Sequence, residues 1–318
     1  MPDDRRHTLV AASGGADSTA LALALAATGR LAGLAHVVHD LRPRRAALAD
    51  RDAVEDLAGV LGVPFFEAGV RVKRLGGNAE AAARRLRYGA LERIARREGI
   101  PFIATGHQAD DQLETVLMRL MRGTGVAGLR GVAPRRRLAS GIMLVRPCLT
   151  ITRADCESLC SFAGIRWRVD ATNADTRLTR AALRSRVLPV LRELWPTGST
   201  KAAALALDAR EIHRLTQRYA ASLLDAAKLS SRPLILERDP LRSSDRLIVV
   251  HALRLAAKSV LGKQHHDHLT RAGAARLITA IRDGRGHTRT LLWSKLKITV
   301  TRDDVILTRA RAASIVRR

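Results

Sequence analysis

His7-Thr8-Leu9-Val10-Ala11-Ala12-Ser13-Gly14-Gly15-Ala16-Asp17-Ser18 is the stretch from which the fold is read. Its first half is an apolar run of strand length, its second half a glycine-bearing turn, and an apolar helix is expected from about Thr19 to Thr28. The pattern repeats outward. Leu34-Ala35-His36-Val37-Val38 reads as a strand, and Asp50 to Leu61 as a helix with Val54, Leu57, Val60 and Leu61 on one side. Val63-Pro64-Phe65-Phe66 is a third strand, and Asn78 caps a helix to about Arg97 with Leu86, Ala90, Leu91 and Ile94 inward. Pro101 to Thr105 is a fourth strand and Asp110 to Met121 the next helix. Strands alternating with helices imply an α/β chain with a parallel, doubly wound sheet covered on both faces. Such sheets bind ligands at their carboxyl edge, here the loops after Ala12, Val38 and Thr105.

Beyond Pro189 the pattern changes. Residues 200–228 read as one long helix, Pro233 to Leu236 as a strand, 240–260 and 267–283 as helices, and Leu291 to Thr308 as two strands turning about Asp303-Asp304. The expected organisation is a catalytic domain over 1–190, a linker helix over 191–230, and a small α+β domain over 231–318. The 318 residues carry 55 Lys+Arg against 30 Asp+Glu, a formal charge of +25. The excess is +4 over residues 1–100, +10 over 101–250 and +11 over 251–318. A polyanion is the natural partner of the C-terminal part. With 48 Arg and 7 Lys in an alanine-rich chain, genome composition accounts for the arginine preference, but not for the shortage of acids near the C-terminus. No run of about eighteen apolar residues appears, and the N-terminus has no leader pattern, so a cytoplasmic protein without a membrane span is expected. Three cysteines make no disulfide framework.

Gly14 and Gly15 let the turn fold tightly with its N–H groups toward an anion, Ser13 and Ser18 add hydroxyls, and the following helix aims its positive end at the same point. This is not a GxxxxGK[ST] loop, since no lysine reaches a terminal phosphate. Instead Asp17 lies inside it, and a carboxylate beside polyphosphate needs an intervening cation, which points to Mg2+. A loop that grips the β and γ phosphates leaves the α-phosphate open to attack, which suits adenylation. Asp110, Asp111 and Glu114 open a later helix; the helix dipole accounts for one acid there more easily than for three. Arg84 and Arg87 (i, i+3) and Arg180 and Arg184 (i, i+4) form two same-face pairs. His265-His266-x-His268 lacks an acid or Cys set at ligand spacing and is read as a phosphate contact before a metal site. No CxxC occurs, and Cys156 and Cys160, at i, i+4, read with Cys148 as core residues. That argues against cluster-dependent sulfur transfer, and Pro2 argues against an N-terminal amidotransferase cysteine.

Ser13-Gly14-Gly15-Ala16-Asp17-Ser18 after the first strand resembles the PP-loop ATP pyrophosphatases, which have an adenine nucleotide alpha hydrolase-like fold. Within that group the chain is similar to the tRNA(Ile)-lysidine synthases. The matching elements are His36-Val37-Val38-His39-Asp40-Leu41-Arg42, Asn78-x-Glu80-x-x-Ala83-Arg84-x-x-Arg87-Tyr88, and Thr105-Gly106-His107-Gln108-Ala109-Asp110-Asp111-Gln112-Leu113-Glu114-Thr115. Arg122-Gly123-Thr124-Gly125 with Gly128-Leu129-x-Gly131, Arg146-Pro147-x-Leu149, Asp170-x-Thr172-Asn173 and Arg180-x-x-x-Arg184 complete the series. Val38, Asp40 and Ala181 stand where the family has Asn, Gly and Asn. The resemblance is strong over about 7–190 and weak but consistent over 230–318.

The resemblance implies ATP-dependent ligation of L-lysine to the 2-position of the wobble cytidine in tRNA(Ile) with a CAU anticodon, through an adenylated intermediate. Ser13, Gly14, Gly15, Ala16, Asp17, Ser18, His36, Gly106 and His107 would bind the nucleotide. Asp17 and Asp111 would hold Mg2+, and Asp17, Asp111, Arg180 and Arg184 would be catalytic. Arg84, Arg87, Glu114, Arg122, Gly123 and Thr124 would meet lysine or tRNA, with Glu114 receiving an amine. The basic C-terminal domain and the arginines of 166–192 would hold the tRNA; a homodimer is left open. The competing readings are another PP-loop tRNA modifier, such as a thiolase, and an RNA-binding protein without catalysis.

Overall fold

The computed structural model describes residues 7–40, 43–72, 79–168, 179–225, 233–262, 269–283, 288–293 and 295–310. Asn78, the Asp170-x-Thr172-Asn173 element and His265-His266-x-His268 lie outside them. The chain divides into two compact units, Met1–Ala209 and Arg210–Arg318.

In the first unit β1 (Thr8–Ala11), α1 (Ala16–Ala27), β2 (Leu31–His39), α2 (Arg44–Val60), β3 (Phe65–Val70), α3 (Ala79–Arg97), β4 (Phe102–Thr105) and α4 (Ala109–Met121) alternate as expected. A short α5 (Val126–Leu129) precedes β5 (Arg135–Ala139) and β6 (Ile142–Val145); α6 is Arg153–Phe162 and α7 Thr179–Ala182. A π-helical turn over Leu183–Val187 leads into α8 (Leu188–Leu194) and α9 (Gly198–Asp225), which from Arg210 onward belongs to the second unit. The sheet order is β3-β2-β1-β4-β6-β5, all parallel except β5, which turns back on β6. That hairpin is an addition to the expected elements: Arg135-Arg136-Arg137 shows no apolar alternation because β5 is an exposed edge.

Strand β1 is apolar throughout because both its faces are covered. Leu9 packs with Ile103 and Leu144 against Leu91 and Ile94 of α3. Val10 packs with Leu34 and Ala104 against Leu21 of α1 and Val54 and Leu57 of α2. The chain thus winds outward through β2 and β3 on one face, then crosses back by α3 on the other, so the order reverses between β1 and β4. The crevice at that reversal is where the first and fourth βα loops meet.

The second unit is an antiparallel sheet, β7 (Leu234–Glu237), β10 (Asp304–Arg309), β9 (Leu296–Val300) and β8 (Arg289–Trp293) in that order, with α10 (Arg238–Ser243), α11 (Arg246–Leu261) and α12 (Arg271–Arg282). Its core gathers Leu236, Leu253, Leu277, Ile281, Trp293 and Ile298. Three strands replace the expected two after 288, since the chain turns between Trp293 and its partner Leu296 as well as before Asp304. Among the described residues no helix is long and apolar enough to cross a membrane.

Candidate active site

Gly14 adopts φ +81°, a left-handed backbone that only glycine takes without strain. Gly15 then opens α1 with no side-chain cap, so the first-turn N–H groups of the helix lack the partner a capping side chain would give. The loop is stitched from within: Ser18 Oγ donates to the Gly15 carbonyl at 3.0 Å and accepts from the Ser13 N–H at 3.1 Å. Ser18 is buried and braces the turn, whereas Ser13 is exposed and positioned for a ligand. From outside, the Arg168 N–H donates to the Gly14 carbonyl at 2.8 Å and Arg168 Nε to the buried Asp50 carboxylate at 2.8 Å. Gly106, at the end of β4, abuts the same turn: a Cβ there would lie 2.8 Å from the Asp17 backbone and 2.9 Å from Ser18 N. Gly106 therefore contributes closeness between the two loops.

Asp17 lies in the first turn of α1, within the anion loop. Its Oδ1 is buried without a hydrogen-bond partner. Burial pushes its carboxyl up to about 6; the charge of Arg153 opposes the rise, and Asp111 and Asp110 add to it. An orphaned carboxylate oxygen next to an anion-binding turn fits a divalent cation. Among the described residues no three His, Cys, Asp or Glu side chains gather at one point, so a cation at Asp17 would take its other ligands from phosphate and water, as Mg2+ does.

At the N-terminus of α4, Gln108 and Asp111 form a reciprocal capping box. The three acids there divide their tasks. Asp110 accepts from Arg192 at 2.8 Å and from the Ser199 hydroxyl, and so ties α8 and α9 to α4. Asp111 Oδ1 accepts from both Arg180 and Arg184 at 2.9 Å. Glu114, 1% exposed, accepts from Arg180 Nε at 2.7 Å and from Arg184 Nε. Two guanidiniums thus neutralise two carboxylates, with Arg184 carried on the π-helical turn, a feature concentrated at functional sites. The Asp111 oxygens are engaged by arginine and by the Gln108 N–H, so the orphaned Asp17 oxygen is the one that fits a cation as it stands.

Burial disfavours the charged form of both histidines, His36 within β2 and His107 just past β4. His36 Nδ1 lies 3.0 Å from the Ala12 carbonyl, which only accepts, so the proton is on Nδ1; burial lowers its pKa. His107 Nδ1 meets Thr105 Oγ1 at 2.8 Å, and burial pushes it down to about 4. Arg84 stacks on Tyr88 at 5.3 Å, and Arg87 is exposed on the same helix. Arg122, Gly123 and Thr124 follow the last turn of α4, about 17 Å along the helix from Asp111, and are not brought to the crevice. Their loop is held by Arg119, which donates to the carbonyls of Gly128 and Gly131 at 2.9 Å, and by Gln112, which bonds both backbone groups of Val132. Asp40, the departure from Gly, accepts the Val72 N–H at 2.6 Å and joins the loop after β2 to the end of β3. All three cysteines are buried and free, with burial pushing Cys148 up to about 11 and Cys156 up to about 12. Sequence reasoning missed Asp50, Arg168 and Arg153, because each acts through a partner far away in the chain; only the Thr152-x-x-Asp155 capping pattern marked the helix start that carries Arg153.

This geometry, a glycine-turned anion loop at the reversal of a doubly wound sheet, agrees with the family match: the PP-loop domain model covers residues 1–191, and the chain belongs to that family. Among curated relatives it is 42% identical over 232 residues to a tRNA(Ile)-lysidine synthase of Deinococcus radiodurans, covering 72% of this chain and 38% of that protein. It is 38% identical over 268 residues to the tRNA(Ile)-lysidine synthase of Thermus thermophilus (80% and 50%) and 37% identical over 315 residues to that of Burkholderia pseudomallei (96% and 62%). The chain thus spans between 38% and 62% of the length of these relatives. A U34-tRNA thiolase from Methanococcus maripaludis shares the fold, with TM-score 0.50 at 16% identity, over 64% of this chain and 71% of that one.

Proposed function

We propose that the chain ligates L-lysine to the 2-position of the wobble cytidine of tRNA(Ile) with a CAU anticodon, in the cytoplasm, using ATP and releasing AMP and diphosphate. The observation that carries this reading is the juxtaposition of an uncapped anion loop bearing the half-orphaned Asp17 with an arginine-held pair of buried carboxylates, in a chain whose relatives bear that name. Ser13 and the N–H groups from Gly14 to Ser18 bind the triphosphate, and His36 and His107 border the nucleotide. Asp17 would hold Mg2+, with Asp111 beside it; when bound, the ion offsets phosphate charge. Arg180 and Arg184 stabilise charge on the α-phosphate as the cytidine oxygen attacks. As they turn to the nucleotide they release Asp111 toward the ion and free Glu114, whose carboxylate then takes the lysine amine and draws off its proton before it displaces AMP. Residues 1–190 would act as the catalytic domain, 191–230 as the link, and 231–318 as a basic tRNA-holding domain.

The test is incorporation of labelled lysine into transcribed isoleucine tRNA, with a tRNA of altered wobble base as control. Incorporation that needs ATP and the cytidine supports the reading; its absence with active transcript refutes it. A thiolase would need a sulfur donor and would ignore lysine.

A further inference from the structure

Tyr88 is a buried ring on α3 with three guanidiniums about it. Arg84 lies 5.3 Å from its centroid and Arg136, on edge strand β5, 5.0 Å. Arg146, just past β6, faces its hydroxyl. Arg146 is 5% exposed; one arm donates to the Ala133 carbonyl at 2.6 Å, but its buried Nε has no partner. Among the described residues no carboxylate forms an ion pair with any of the three, whereas Arg180 and Arg184 are each held by Asp111 and Glu114. A buried guanidinium with an unmade hydrogen bond and two like charges nearby is costly in isolation. A ligand oxyanion would complete its hydrogen bonds and supply the missing counter-charge. β6 lies beside β4, and His107 at the end of β4 feels both Arg146 and Arg84, so the cluster adjoins the crevice.

We propose that Arg84, Arg136 and Arg146, gathered about Tyr88, form a subsite for an oxyanion of a substrate other than the nucleotide. The identity of that substrate rests on the proposed function, which offers two sources of the same chemistry: the carboxylate of the free amino acid and a phosphodiester of the RNA. Planar guanidiniums suit either.

The test uses the full chain with Arg136→Gln, which is exposed and leaves the core intact, and Arg146→Met, with thermal unfolding of each. The carboxylate source predicts at least a fivefold rise in KM for L-lysine with RNA affinity unchanged. It also predicts that lysinamide, which lacks the carboxylate, is handled alike by wild type and variants. The phosphodiester source predicts at least fivefold weaker RNA binding, and a dependence of log Kd on log salt shallower by about one, with lysine KM unchanged. Either result supports the subsite. No change in either parameter, or a change confined to KM for ATP, overturns it. If Arg146→Met fails to fold, Arg136→Gln decides alone. A wild-type chain that binds RNA but incorporates no lysine would sink the proposed ligation, while the RNA arm would still decide the subsite.

Discussion

Asp17 is placed where its charge is unfavourable until a cation arrives, and this has a measurable sign. Its folded pKa of about 6 lies above the ordinary value of 3.8, so the native state holds the proton more tightly than the unfolded chain. Near pH 3 both states are protonated and the site costs nothing. The cost grows between about pH 4 and 6 and is complete above pH 6, at roughly 1–3 kcal/mol. Asp17→Asn is therefore expected to stabilise the protein by that amount at pH 8 and not at all near pH 3, as denaturant midpoints will show, while ATP–diphosphate exchange in the presence of isoleucine tRNA is lost. Gly106→Ala acts in the opposite direction. Its new methyl group meets the Asp17 backbone at 2.8 Å, so a stability loss of roughly 1–3 kcal/mol and a tenfold or greater rise in KM for ATP are expected. At this scale much was legible in advance, because the loop residues 13–18 and the acids of α4 act within a few positions of one another. The braces were not. Asp50 and Arg168 are separated by 118 positions and meet only through the fold.

Among the elements, the first four strands and their helices followed from periodicity, since buried parallel strands must be apolar on both faces. Boundaries moved where polar residues start a helix: α2 begins at Arg44, ahead of the apolar stripe that suggested Asp50. The β5–β6 hairpin stayed hidden because its outer strand is arginine, and β8–β9 because its turn carries no glycine or proline signal. In the second unit the start of α10 is secured by one side chain: buried Arg238 donates to the carbonyls of Ile281 at 2.8 Å and Thr301 at 2.7 Å, and also bonds those of Ala280 and Asp283. It thereby caps the C-terminus of α12 and clamps the β9–β10 turn. Arg238→Met strands those carbonyls, and a loss of about 2–4 kcal/mol is expected in equilibrium unfolding of the full chain.

Across the whole molecule the charge of +25 is spread unevenly along the chain, +4 over residues 1–100, +10 over 101–250 and +11 over 251–318. If the basic C-terminal part holds tRNA by its phosphates, affinity must fall steeply with salt; a change of at least a hundredfold in Kd between about 50 and 200 mM salt is expected by filter binding, and a flat response would remove that part from tRNA holding. The proposed chemistry breaks the bond between the α and β phosphates of ATP. With ATP labelled separately in its α and γ phosphates, L-lysine and isoleucine tRNA, the account predicts AMP and diphosphate formed one for one with lysine incorporated. ADP and orthophosphate as the products would contradict it.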